Sequence, residues 1–107
     1  MAQLPKRFER FLKEYPEVAV AYENLGDAVH KHGPLDEKTR ALIKIALAAG
    51  SKMEGAVHAQ VRKALKLKLT KAEIRQVALL SIPTIGFPAA MAVMSWIDDI
   101  LDKKKGK

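Results

Sequence analysis

The chain has 107 residues, of which 49% are hydrophobic and 6% aromatic, enough for one modest hydrophobic core. It contains no cysteine, which excludes disulfides, thiolate metal sites and every mechanism that attacks or oxidises a protein thiol. Basic residues number 19 against 12 acidic ones, a net charge of +7, and such a balance permits polyanion binding without requiring it.

Much of the basic excess lies at the end of the chain, where four lysines occupy the last five positions. We expect one helical domain over residues 1–102 and a disordered basic tail over residues 103–107, and we do not expect nucleic acid as a partner. Met1–Phe11 has no apolar stretch of signal-peptide length, and the longest apolar run, Ile45–Ala49, is too short to cross a bilayer. A cytoplasmic location without membrane contact is the corresponding expectation.

The apolar residues recur at helical spacing, and no segment alternates as a strand does. Asp36 is predicted to be an N-cap, and Thr70 and Glu73 form the Thr-x-x-Glu pattern of a capping box. Pro83 is expected to end or kink the helix that contains it. The predicted helices are Pro5–Tyr15, Pro16–His32, Glu37–Ala49, Lys52–Lys66, a fifth that begins at Thr70, and a sixth from near Pro88 to Leu101.

Two predicted helices carry more apolar surface than one small bundle easily covers. Glu37–Ala49 is apolar nearly all round, so we expect it at the centre of the fold. On the last helix, Trp96 lies about 100° around from the stripe that contains Ile97. This surplus predicts a homo-oligomer.

Glu54 and His58 are the residues with the clearest potential for chemistry. They stand four positions apart on the fourth predicted helix, so their side chains can touch. A carboxylate beside an imidazole is a workable acid–base pair, although an exposed ion pair on a helix surface would have the same spacing. His30 and His32 are two positions apart, on different helix faces and without a carboxylate at ligand spacing, so we expect no metal site.

Three landmarks appear in a characteristic order: Leu35–Arg40 at a helix start, Ala64-Leu65 followed by Thr70 and Glu73, and Gly86–Ala90. Together they resemble the carboxymuconolactone decarboxylase and AhpD-like family over residues 16–101. The resemblance implies an all-α bundle of about six helices, assembled as trimers or hexamers, with sites at or near the contacts between subunits.

The family's peroxidase branch uses a Cys-x-x-Cys pair, a histidine and a glutamate, and this sequence departs from that pattern. Alignment without gaps puts Met53 and Ala56 in the cysteine columns, Gln60 in the histidine column and Ala41 in the glutamate column. A second register, anchored on His58 as the family histidine, also supplies no thiol. The resemblance therefore does not support peroxidase activity.

The decarboxylase branch of the family uses a histidine as general acid–base, acts on a carboxylated lactone and needs no cofactor. By resemblance, His58 would be the acid–base group, Glu54 its orienting partner, and Arg62 or Arg40 a clamp for the substrate carboxylate, with Gln60 marking the family pocket. The implied function is a thiol-independent lyase or isomerase on a small carboxylated compound. The alternative is a non-catalytic oligomeric scaffold or a small-molecule binding protein that keeps the fold.

Overall fold

The computed structural model describes residues 6–103, so most of the predicted basic tail lies outside the described residues. Within that range the chain forms six helices and no strand, which confirms the all-α prediction. The helices are α1 (Lys6–Glu14), α2 (Pro16–Lys31), α3 (Glu37–Gly50), α4 (Glu54–Lys66), α5 (Lys71–Ile85) and α6 (Phe87–Leu101). None of the helices in residues 6–103 combines the length and the apolar character needed to cross a membrane.

The helices group into two compact units, one formed by α1 and α2 and the other by α3 to α6. In the first unit, Pro16 occupies the first turn of α2, where its missing N–H costs nothing. The rings of Phe11 and Tyr15 contact each other in a tilted arrangement with centroids 5.3 Å apart, and His30 Nδ1 donates to the carbonyl of Gly26 at 2.6 Å. The prediction of a single domain over residues 1–102 stays a prediction.

In the second unit, local capping fixes where two helices begin. Asp36 Oδ1 accepts the Thr39 amide at 2.8 Å, and this bond lowers the pKa of Asp36. Thr70 Oγ1 accepts the Glu73 amide at 3.0 Å while Glu73 Oε1 accepts the Thr70 amide at 2.8 Å. Both predicted helix starts are therefore confirmed, each by a side chain that satisfies amides left free at a helix N-terminus.

The core of this unit forms where α3 pairs with α4, α5 pairs with α6, and α4 lies against α6. Over residues 36–103, the fully buried side chains of this unit are aliphatic, with no aromatic residue among them. The largest are Ile45, Ile74, Ile97, Val57, Val61 and Val93. This packing holds α4 and α6 side by side, and the candidate site lies along that contact.

The composition of α3 suggested that the helix is enclosed on all sides, but the structure shows that it is not. Ala41, Ile45 and Ala49 are buried, whereas Leu47 is 65% exposed and Ile43 is also exposed. Within the unit formed by α3 to α6, packing partners cover one face of α3 only, so the prediction that α3 is central is wrong for this unit.

Candidate functional site

Glu54 and His58 come together at the N-terminal end of α4, as their spacing predicts. Glu54 is the first residue of the helix, and His58 follows one turn later. His58 Nε2 lies 4.0 Å from Glu54 Oε2. The positive end of the helix dipole favours a carboxylate at the position of Glu54.

Asp99, on α6, completes the site, and sequence spacing did not point to it. Its Oδ2 lies 3.0 Å from His58 Nε2, although the two residues are 41 positions apart in the chain. The pairing depends on the packing of α4 on α6, where Val57 and Ile97 are both fully buried. The single imidazole nitrogen thus faces a carboxylate from each of two helices.

The three side chains differ in their access to solvent. The His58 side chain is 21% exposed, whereas those of Glu54 and Asp99 are 57% and 53% exposed. The imidazole is therefore held in a half-buried position, and the carboxylates reach it from the surface. Such an arrangement positions the ring while leaving both carboxylates accessible to solvent.

The hydrogen bond also assigns the proton on the imidazole. A carboxylate at neutral pH only accepts hydrogen bonds, so Nε2 is the nitrogen that donates to Asp99. Among residues 6–103, no side chain or backbone group bonds His58 Nδ1. In the neutral ring, Nδ1 is therefore the basic nitrogen.

The other residues predicted for the site lie apart from this cluster. Gln60 is partly buried on α4, about 160° around the helix from His58. Arg62 follows His58 by one turn on the same side of α4. Arg40 lies on α3, close to other basic residues. The pKa of Lys44 is lowered mainly by burial, and to a smaller extent by the positive charges of Lys63 and Arg40. The structure joins neither Gln60 nor Arg62 to the imidazole.

An open groove of about 600 Å³ runs along α6 next to the cluster. Its one charged lining residue is Lys52, in the turn between α3 and α4, where the backbone adopts a left-handed φ of 58°. Trp96, which sequence analysis placed outside the buried stripe, forms part of its wall. The lining residues are Ala49, Lys52, Ile85, Pro88, Ala89, Ala92, Val93 and Trp96.

The groove and the cluster share one face of α6. Trp96 precedes Asp99 by three residues, which corresponds to about 4.5 Å along the helix and about 60° around it. Glu54, His58 and Asp99 do not line the groove itself. Asp99 lies about one helical turn beyond Trp96 along α6.

A second acidic pair on α6 is occupied by a different partner. Arg75, from α5, donates to Asp98 Oδ1 at 3.0 Å and to Asp102 Oδ1 at 2.8 Å. The hydrogen bond to Asp98 is the main cause of a raised pKa for Arg75. The adjacent residues Asp98 and Asp99 therefore have partners on different helices.

Comparisons with known proteins agree with this fold. The sequence profile of the carboxymuconolactone decarboxylase family matches residues 16–99. An uncharacterised protein of Methanocaldococcus jannaschii is 33% identical over 89 residues, covering 82% of this chain and 86% of that protein. An uncharacterised protein of Haemophilus influenzae is 35% identical over 63 residues, covering 59% of this chain and 56% of that protein.

A solved structure is similar as well. The crystal structure of the apo form of a carboxymuconolactone decarboxylase family protein from Legionella pneumophila superposes with a TM-score of 0.77 at 25% identity. The match covers 90% of this chain and 85% of that one. The chain belongs to the carboxymuconolactone decarboxylase family.

Proposed function

We propose that this protein is a thiol-independent acid–base catalyst, a lyase or isomerase that acts on a small carboxylated compound. The observation that carries the proposal is the half-buried His58 ring, held through Nε2 by Asp99 at 3.0 Å with Glu54 at 4.0 Å. The chain has no cysteine, so the thiol chemistry of the family's peroxidase branch has no nucleophile here. Proton transfer by an oriented imidazole is the chemistry that these residues supply.

The proposed proton transfers take place at Nδ1 of His58. Asp99 holds the Nε2 proton, and Asp99 and Glu54 stabilise the imidazolium that forms when Nδ1 takes a proton, from a substrate carbon in an isomerisation or from water before a decarboxylation. In a decarboxylation, the bond to the departing carboxylate breaks, carbon dioxide leaves, and the electron pair remains on the substrate carbon. The imidazolium then donates its Nδ1 proton to that carbon, so the proton taken from water takes the place of the departed carbon dioxide, the ring returns to its neutral state and no cofactor is required.

The groove beside the cluster supports the assignment of the substrate class. Most of its lining is aliphatic or aromatic, and Lys52 places one ammonium at it. A small compound with an apolar body and one carboxylate matches that lining. We therefore propose Lys52, rather than Arg40 or Arg62, as the first candidate for the carboxylate contact.

The activity is tested with a panel of small lactone, β-keto and unsaturated carboxylates, following substrate loss and carbon dioxide release. For the compound that turns over, we expect His58→Asn to lower kcat/KM by about 10²–10⁴-fold, the contribution typical of a general acid–base group. Lys52→Gln should raise KM with a smaller change in kcat. His32→Asn, at an exposed histidine, is the matched control and should leave turnover unchanged. Full activity in His58→Asn would remove the imidazole from the mechanism.

A non-catalytic binding protein is the second candidate, favoured by the fact that the groove lining includes none of Glu54, His58 and Asp99. This role predicts binding of an apolar carboxylate without turnover. The Kd would then respond to Lys52→Gln and be unaffected by His58→Asn. Calorimetry on the same panel separates the two functions.

We also propose that a second copy of the chain covers the exposed apolar surface of α3 and α5. Leu47 and Leu80 are 65% and 61% exposed in the single chain, and Ile43 and Leu79 lie exposed near them in sequence. So much exposed aliphatic surface is typical of a subunit interface. Sedimentation should report an oligomer that the double variant Leu47→Glu and Leu80→Glu dissociates, whereas Lys66→Glu should not. A wild-type monomer at micromolar concentration would contradict this assignment.

A further inference from the structure

Glu54, His58 and Asp99 together form a set of potential metal ligands. Each of the three residues offers one ligand atom, and these three atoms all lie within 4.8 Å of one another. Two of them come from one turn of α4 and the third from α6, so the helix packing of the core determines their separation. The donor set is one imidazole nitrogen and two carboxylate oxygens.

The charge around this set is unusual for so basic a chain. Within residues 6–103, neither Glu54 nor Asp99 has a lysine or arginine at ion-pair distance, and His58 is the partner that both share. Arg75 instead binds the neighbouring Asp98 and Asp102. Two carboxylates therefore converge on one imidazole ring with no lysine or arginine of residues 6–103 at ion-pair distance, and a bound cation would balance their charge.

We propose that these three residues bind a divalent transition-metal ion, with Zn²⁺ as the best match. A tetrahedral zinc ion with bonds of about 2.0–2.1 Å separates its ligand atoms by about 3.3 Å. The observed separations from Nε2, 3.0 Å to Asp99 and 4.0 Å to Glu54, lie on either side of that value. Because both carboxylates are more than half exposed, small rotations of their side chains bring them into place.

The donor types favour a transition metal over calcium or magnesium. Calcium takes six to eight oxygen ligands, and magnesium requires near-octahedral oxygen coordination, whereas imidazole nitrogen suits zinc, cobalt and nickel. Three protein ligands leave the fourth tetrahedral position to water. This is the coordination pattern of catalytic rather than structural zinc sites.

The metal site is independent of the acid–base proposal, since the two need different states of the same ring. A metal on Nε2 moves the imidazole proton to Nδ1, so the nitrogen that would accept a proton is no longer basic. Saturating Zn²⁺ should therefore inhibit turnover that depends on His58. Turnover in chelator-treated protein reports on the acid–base proposal alone, and metal binding reports on the metal site alone.

The metal site is tested by titrating untagged, chelator-treated protein with Co²⁺ and recording visible absorption, followed by displacement with Zn²⁺. We expect one Co²⁺ per chain with the intense spectrum of a tetrahedral site. His58→Asn should abolish that spectrum, and Asp99→Asn and Glu54→Gln should each weaken binding by at least about tenfold. The ring ¹⁵N resonance of His58 Nε2 should shift with added Zn²⁺.

Two matched variants control for adventitious binding at the surface. His32→Asn removes an exposed histidine, and Glu37→Gln removes the corresponding first-turn acid of α3. Both should bind Co²⁺ as the wild type does, with thermal melts confirming that every variant folds. The proposal is overturned if wild-type protein gives no tetrahedral spectrum or if His58→Asn binds Co²⁺ with unchanged affinity.

Discussion

Replacing Ile97 by alanine is expected to lower the free energy of unfolding by about 2–5 kcal/mol. Ile97 is fully buried and belongs to the core cluster formed by α3, α4, α5 and α6. The same cluster includes the fully buried Val61 and Ile74. The loss therefore combines the transfer of the removed methylenes with the cost of the remaining cavity. Urea denaturation at fixed protein concentration measures it.

A graded substitution separates the cavity effect from a general disturbance of α6. Ile97→Val removes one methylene and should cost about 0.5–1.5 kcal/mol. Lys66→Ala changes an exposed residue near the end of α4 and should stay within about 0.5 kcal/mol of wild type. If Ile97→Ala cost no more than Ile97→Val, the description of this core as closely packed would be wrong.

Gly86→Ala is expected to destabilise the protein by about 1–3 kcal/mol through the backbone alone. Gly86 joins α5 to α6 with φ 98° and ψ 153°, in a region that residues other than glycine hardly populate. Space is not the obstacle, because the nearest atom to an added Cβ would be Pro88 Cδ at 4.0 Å. The substitution forces the turn to open, and thermal or urea unfolding should show the loss.

The same chemical change should have the opposite effect at Gly55. This residue lies in the first turn of α4 without a positive φ, and an added Cβ would meet no atom within 4 Å. Gly55→Ala is expected to stabilise the protein by about 0.4–1 kcal/mol, because alanine lowers the conformational entropy of the unfolded chain and so reduces the entropy lost on folding. Effects of the same sign at both positions would contradict the assignment of strain to the α5–α6 turn.

The helices could be predicted from the sequence because their signals are local. Asp36, Thr70 and Glu73 act on amides within three residues, so their types and spacing suffice to locate two helix starts. Pro83 shows the limit of such signals. Helix α5 continues past it to Ile85, because proline has a helical φ and the loss of one N–H bond is tolerated on the exposed side of the helix.

The environment of α3 could not be predicted in the same way. Its composition indicates that both faces are buried, yet Ile43 and Leu47 are exposed in the single chain. A run of apolar residues indicates that a helix face is buried. It does not indicate whether that face packs against the same chain or against another copy.

The candidate site was predictable in part. Glu54 and His58 are one turn apart on a single helix, so the sequence brings them together. Asp99 joins them across 41 positions of chain, and that contact depends on how α4 packs against α6, which no local pattern records. In the sequence, Trp96 lies outside the buried stripe of α6, which indicated that this side of the helix carries further apolar surface. The groove lies on that side of α6.

The consecutive residues Asp98 and Asp99 have a mechanical consequence for α6. Arg75 on α5 holds the first, and His58 on α4 holds the second, from directions about 100° apart around the helix. These two contacts therefore restrict the rotation of α6 about its own axis from two sides. A side chain on α5 that never touches the imidazole therefore helps to determine where its carboxylate partner stands.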